Sequence, residues 1–277
     1  ILVDGDGDST GIFALDSNTD ININSAGTGR VYANGTDLLL QEGNAYFVTA
    51  NGDDSNNGGD TNEAFATLKH ALSVATTGDT IYLGSGTFEE VAPLTVPAGV
   101  SVIGQGLRAT QLKPTAATRT NDFFLLNGEV TIENLTVREI EWDGSSGYAF
   151  QYASNALVTR RSAYLRHITV LNFGSSVRLG TNAADDPYGY DAADAGRGIK
   201  IDGSILNSSS IEAAMLFDSV TLIVPNAKGI EITEGARAEW LNSFIYFASQ
   251  GIEGVSGTTG IYGDGKTYIE LGGIASG

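Results

Sequence analysis

The chain has 277 residues and a formal charge of −18 from 33 acidic and 15 basic side chains, with 42% hydrophobic residues, 36 glycines and no cysteine. That charge repels nucleic-acid phosphates, the missing cysteines exclude disulfides, thiolate metal sites and cysteine nucleophiles, and no run is apolar enough to span a membrane as a helix. Only 17% of the residues are charged and 5 are proline, a mixture that argues against a disordered linker and for short strands joined by tight turns.

In chain order, residues 1–43 read as a small β-rich connector module. Gly11–Leu15 and Gly29–Ala33 are strand-like, and Asn34-Gly35-Thr36 is a turn leading into Asp37–Leu40. The sequence opens on Ile1 rather than Met and ends on a glycine-rich stretch without a capping element, so an interior segment of a longer protein is expected. Asp4, Asp6 and Asp8 place oxygens at alternate positions, as at the start of a calcium loop. Ser9 and Leu15 stand where a helical calcium loop needs Gly and Glu, so a plain acidic turn is the competing reading.

Composition changes at about Gly43, and residues 44–277 read as a second, continuous domain. Ala45–Val48 is a strand, followed by a polar turn cluster containing Asp53, Asp54 and Asn56. In such clusters Asn and Asp favour turns by bonding their own backbone. Phe65, Leu68, Leu72 and Ala75 then fall at helical spacing, which predicts one helix over about 63–76, stopped by Gly78. A lone amphipathic helix in a β-rich chain needs an apolar surface to cover, and the open end of a coiled sheet supplies one.

From residue 80 onward the strands are too closely spaced for helical crossovers, so parallel pairing requires coiling. Two strand types recur together. One begins at Asn134, His167, Ser219 and Ser243; the other begins at Gly147, Gly198, Gly229 and Gly251. Their spacing is that of one solenoid unit, whose inward side chains are buried only by stacking. The fold expected is an all-β, right-handed parallel β-helix with one N-terminal capping α-helix. Lys200, Glu231 and Glu253 occupy equivalent places and should stack on an outward face, where a Lys200–Glu231 pair reads as a surface salt bridge.

The longest loop, about 174–196, is polar and carries Asp185, Asp186, Tyr188, Tyr190, Asp191 and Asp194. Asp186, Tyr188, Tyr190 and Asp191 are candidates for partner or glycan contact, since amphipathic aromatics anchor interfaces. Tyr148 and Tyr152 are further aromatic candidates. The loop acids could supply a general acid and base for glycoside cleavage, but acidic loops are common in so acidic a chain. His70 and His167 are far apart, His167 alternates with Ile168 and Val170 and so points outward, and neither has a supporting motif. No residue is assigned a catalytic role, and no cofactor beyond calcium at Asp4, Asp6 and Asp8 is implied.

Tyr46-Phe47-Val48, Asn51-Gly52-Asp53, Ala66-Thr67-Leu68 with Ala71, Gly78-Asp79-Thr80-Ile81, Gly86-Thr87-Phe88 and Val102 to Gly106 resemble the cap and first coils of pectate-lyase-like β-helix proteins. A wider resemblance, carried by Gly29 to Gly35, Gly106 to Thr110, Asp186 to Tyr190, Ser208 to Ala214 and Gly235 to Asn242, is to structural proteins of tailed phages, particularly cyanophages. It implies a tail-fibre or tail-spike component of the virion, outside the host cell, expected as a trimer among other tail proteins and directed at a host surface glycan. It implies neither nucleic-acid binding nor membrane insertion. The same fold hosts polysaccharide lyases and glycosidases, so a glycan-degrading spike or secreted enzyme is the alternative.

Overall fold

The computed structural model describes residues 32–33, 36–37, 43–160, 162–172, 195–224, 227–246, 250–254 and 268–271. The chain divides into two compact units, Ile1–Leu40 and Gln41–Gly277. In the first, β1 (Tyr32–Ala33) and β2 (Thr36–Asp37) pair antiparallel, with Ala33 opposite Thr36. Thr36, expected in the turn, is therefore a strand residue.

The second unit is a right-handed parallel β-helix. Its elements in chain order are β3 (Ala45–Val48), α1 (Leu68–Val74), β4 (Thr80–Leu83), β5 (Gly86–Glu90), β6 (Leu94–Val96), β7 (Ser101–Gly104), β8 (Thr110–Pro114), β9 (Phe124–Leu126), β10 (Thr131–Arg138), β11 (Tyr148–Tyr152), β12 (Ala163–Leu171), β13 (Arg197–Asp202), β14 (Ala214–Ile223), β15 (Lys228–Thr233), β16 (Arg237–Leu241), β17 (Phe244–Tyr246), β18 (Gln250–Gly254) and β19 (Tyr268–Leu271). Every pairing among these strands is parallel between successive coils. Apart from α1 between β3 and β4, no α-helix joins paired strands among the described residues, so the parallel strands pair by winding, and such winding is right-handed.

The column has three faces. The first is β3, β4, β7, the front halves of β10, β12 and β14, then β16 and β19. The second is β5, β8, the rear halves of the same long strands, and β17. The third is β6, β9, β11, β13, β15 and β18. The long strands serve two faces because each bends at one left-handed residue: Asn134 (φ 60°), His167 (φ 49°) and Ser219 (φ 58°). Asn242 (φ 46°) continues that corner, one residue before the Ser243 that the repeat pattern placed there. Asn tolerates the left-handed region better than most residues, while His and Ser are held there by the coils on either side. In the other repeat, Ala149 rather than Gly147 aligns with Gly198, since Tyr148 lies opposite Arg197.

Inward side chains stack in register. Ile81, Val102, Ile132, Leu165, Phe217 and Trp240 line the first face, and Leu94, Phe124, Phe150, Ile199 and Ile230 the third. All of these are fully buried. The Phe124 and Phe150 rings lie parallel with centroids 5.1 Å apart, within the range for stacked aromatics.

The capping helix is shorter than the 63–76 read from the sequence. Phe65 bridges to Val48 in parallel before the helix begins, so its helical spacing with Leu68 is coincidental. Thr67 is extended and accepts from the His70 N–H at 3.1 Å as the N-cap. Asp54 accepts from the Ala66 and Thr67 amides at 2.9 Å each, and Glu90 of the next coil accepts from Leu68 and Lys69 at 2.6 and 3.1 Å. These acceptors satisfy the donors that a helix start leaves open. The helix ends at Ala75, so Gly78 (φ 95°) shapes the following turn rather than stopping the helix. Leu68, Ala71 and Leu72 are buried, and α1 lies against β3, β4, β5 and β6 at the N-terminal end of the column.

Candidate functional site on the third face

The third face carries a cluster of charged and hydrogen-bonded side chains. Strand alternation turns Gln151, Lys200 and Glu231 outward in one register column while Phe150, Ile199 and Ile230 point in. Glu253 follows Glu231 in register. The stacking predicted for Lys200, Glu231 and Glu253 is thus present in the backbone register. The direct Lys200–Glu231 pair is replaced by other partners. Lys200 Nζ lies 3.5 Å from the Asp202 carboxylate. Glu231 Oε2 accepts from Lys228 Nζ at 2.7 Å and Tyr148 Oη at 2.9 Å, with Arg197 at 3.4 Å.

Arg197 joins this cluster to a neighbouring turn. Its guanidinium donates to Tyr148 Oη at 2.9 Å, and its carbon lies 3.5 Å from the centre of the Trp142 ring. Such a cation stacked on indole is favourable when partly shielded from water. Gly147 (φ 122°) closes the turn, where a Cβ would stand 2.1 Å from the Glu141 carbonyl oxygen. Asp122 accepts from the Gly147 and Tyr148 amides at 2.9 Å each and from the Gln151 side-chain amide.

The electrostatics follow from these contacts. Burial pushes the Glu231 carboxyl up, but hydrogen bonds from Lys228 and Tyr148 and the charges of Lys228 and Lys200 outweigh it and hold the group below its ordinary value. Asp202 is held low in the same way: burial raises it, while Ser204 and Lys200 more than compensate. Burial and the Glu231 charge raise the Tyr148 hydroxyl. Tyr148 and Tyr152 are 3% and 1% exposed, so neither is available to stack on a sugar, contrary to the sequence reading. Their hydroxyls bond Glu231 and the Ala214 carbonyl respectively; the Tyr152 ring lies in the core of the column, while the Tyr148 ring packs edge-on against Trp142.

The other sequence candidates fall in two groups. Asp4, Asp6, Asp8, Asp186, Tyr188, Tyr190 and Asp191 lie outside the described residues, as do Asp185 and Asp194. Asp53 bonds Ser55 at 2.8 Å, so with Asp54 at the helix start both acids are spent on local backbone. His70 packs edge-on against Phe65 at 4.7 Å, while His167 is exposed at the bend. Among the described residues no group of three or more His, Asp or Glu is placed to hold a metal ion, and no helix is long and apolar enough to cross a membrane. Sequence reading missed Asp122, Arg197 and Trp142. Only the place of Arg197 immediately before the recurrent Gly198 signalled it.

Residues 50–177, a little under half of the chain, match the family described as "Protein of unknown function (DUF1565)". No curated protein matches the sequence. Among solved structures, the chain is similar to "Crystal structure of pectate lyase Pel9A", with 16% identity, a TM-score of 0.42, and 73% of this chain aligned to 53% of that one. It is also similar to "Rhamnogalacturonan lyase", with 14% identity, a TM-score of 0.42, and 83% of this chain aligned to 62% of that one. The chain thus spans less than two thirds of either relative. The β-helix assignment rests on the strand register above, not on these likenesses.

Proposed function

We propose that this chain is a non-catalytic, rigid segment of a tailed-phage virion protein of the tail-fibre or tail-spike type, serving attachment to the host. The observation that carries the non-catalytic part is the donor set around Glu231. A proton-shuttling carboxyl needs a value near the working pH. Glu231 is instead held ionised by three donors, and Asp202 is tied to Ser204 and Lys200. The phage placement is supported by the sequence resemblance alone. In this reading the loop residues Asp186, Tyr188, Tyr190 and Asp191 meet a partner or host glycan, Asp4, Asp6 and Asp8 are the place to test for calcium, and three copies associate.

The experiment is native mass spectrometry of the intact protein, followed by incubation with host-surface glycan and assay for new reducing ends and unsaturated products. The expected result is a trimer that produces neither. A monomer removes the fibre reading, and turnover removes the non-catalytic one. The second reading, a polysaccharide lyase or glycosidase, is favoured by one observation: Lys200 faces outward in register between Gln151 and Glu231. If products appear and Lys200→Ala abolishes them, that reading replaces the first.

A further inference from the structure

The first face carries an open cavity of about 390 Å³, on a different side of the column from the cluster just described. Its floor is a single register column: Ser101 opposite Thr131, Thr131 opposite Tyr164, Tyr164 opposite Leu216, and Leu216 opposite Glu239. Four steps at the inter-strand spacing make a groove about 19 Å long, running along the column axis. Each floor residue is partly exposed while its neighbours Val102, Ile132, Leu165, Phe217 and Trp240 are buried. The column is therefore outward-facing and rigidly mounted.

The chemistry of the lining is selective. Glu129 and Glu239 supply its charged groups among the described residues, with hydroxyls from Ser101 and Thr131 and a half-buried phenol ring from Tyr164. Glu129 already accepts from Thr159 Oγ1 at 3.2 Å and the Arg160 amide at 3.0 Å, and Glu239 lies 3.2 Å from Arg237. A carboxylate has about four acceptor sites, so Glu239 retains capacity for further donors. Carboxylates that accept from hydroxyl or ammonium groups, an aromatic face and short hydroxyls suit a polyol strand. The same carboxylates, on a chain of net charge −18, repel an acidic one.

We infer that this groove is a binding site for an extended, non-anionic sugar chain laid along the axis. Amine-bearing sugars bind most tightly and uronate chains are excluded. The site shares no residue with the Glu231–Lys200 cluster or with Asp186, Tyr188, Tyr190 and Asp191, so it does not depend on the attachment reading.

The test is calorimetric titration of the whole chain with three hexasaccharides: chitosan, its fully N-acetylated counterpart and oligogalacturonate. The expected order is chitosan first, the neutral oligomer weaker, and no binding of oligogalacturonate, with the chitosan affinity falling as salt is raised. Glu239→Gln should weaken chitosan binding about fivefold, the worth of one exposed charge contact. Tyr164→Ala should weaken both binding oligomers by at least as much, whereas Tyr164→Phe keeps the ring and the affinity. Each variant is checked for an unchanged melting transition, and Glu239→Gln decides alone if Tyr164→Ala does not fold. Binding of none of the three, equal or tighter binding of oligogalacturonate, or an affinity indifferent to Glu239→Gln would overturn the inference. Sugar turnover bears instead on the non-catalytic reading, which these titrations leave separate.

Discussion

Glu90 and Glu231 are both carboxylates drawn into the wall of one column, and they are held in opposite directions. Glu90 is 2% exposed at the N-terminal cap, where it accepts from two backbone amides of α1. Burial, the largest effect, outweighs those bonds and pushes its carboxyl up to about 6. Glu231, on the third face, is surrounded by Lys228, Arg197 and the Tyr148 hydroxyl and is held low. At Glu90 two backbone amides do not repay the removal of the charge from water, whereas at Glu231 the hydrogen bonds and nearby cations together do. The cap is closed by a carboxyl that prefers its proton as pH falls, while the third face is locked by charge.

Both sites depend on the column behind them, so the largest expected effect comes from breaking it. Phe150→Ala should cost about 3–5 kcal/mol, since Phe150 stacks on Phe124 with no exposure and cannot be refilled. Urea unfolding followed through Trp142 and Trp240 measures this. Next is Asp79→Ala at about 2–3 kcal/mol. Asp79 is 1% exposed and accepts from the Asn44 and Thr76 amides at 2.5 and 2.7 Å, so its loss strands buried donors. A melting curve that leaves the cap in place in this variant would remove its role there.

The carboxylate contrast itself gives the next two predictions. Glu90 has a folded value of about 6 against an ordinary 4.5. Its contribution is therefore full below about 4.5 and is lost as pH rises through about 6, a change of roughly 2 kcal/mol. Urea unfolding from pH 4 to 7 should show this slope in the native chain, and Glu90→Gln should lack it. Glu231 has the opposite sign: its contribution is present above the ordinary carboxylate range and lost as pH falls through the lowered folded value. Glu231→Gln should cost about 1 kcal/mol at pH 7, and the deficit should shrink on acidification. Parallel slopes for the two variants would break the comparison.

Much of the fold was legible because period-2 alternation and the recurrent Gly198, Gly229 and Gly251 are direct consequences of stacking. The exact register was less so. Asn134, His167, Ser219 and Asn242 share a left-handed bend but no common side chain, so single-sequence pattern slipped by one at Ser243. Helix length was misread because Phe65 has the right spacing but pairs with Val48 as a strand residue. The polar cluster was only half visible. Lys200 and Glu231 sit on recurrent strands, yet the partners that fix Glu231 come from Tyr148, Arg197 and Lys228, and the first of these is 83 residues away. The groove was not legible at all, since Ser101, Thr131, Tyr164, Leu216 and Glu239 have no common chemistry and meet only through register.

That register is most directly tested by cross-linking in a chain without cysteine, where any introduced pair is unambiguous. Thr169 and Thr221 lie opposite each other on adjacent coils, both partly exposed, while Leu222 is one residue on and buried. Neighbouring strands at about 4.8 Å fall within disulfide reach. The double variant Thr169→Cys, Thr221→Cys should oxidise to an intramolecular disulfide with native stability retained, and Thr169→Cys, Leu222→Cys should remain reduced. Cross-linking of the second pair but not the first would contradict the coil-on-coil stacking from which all three faces are built.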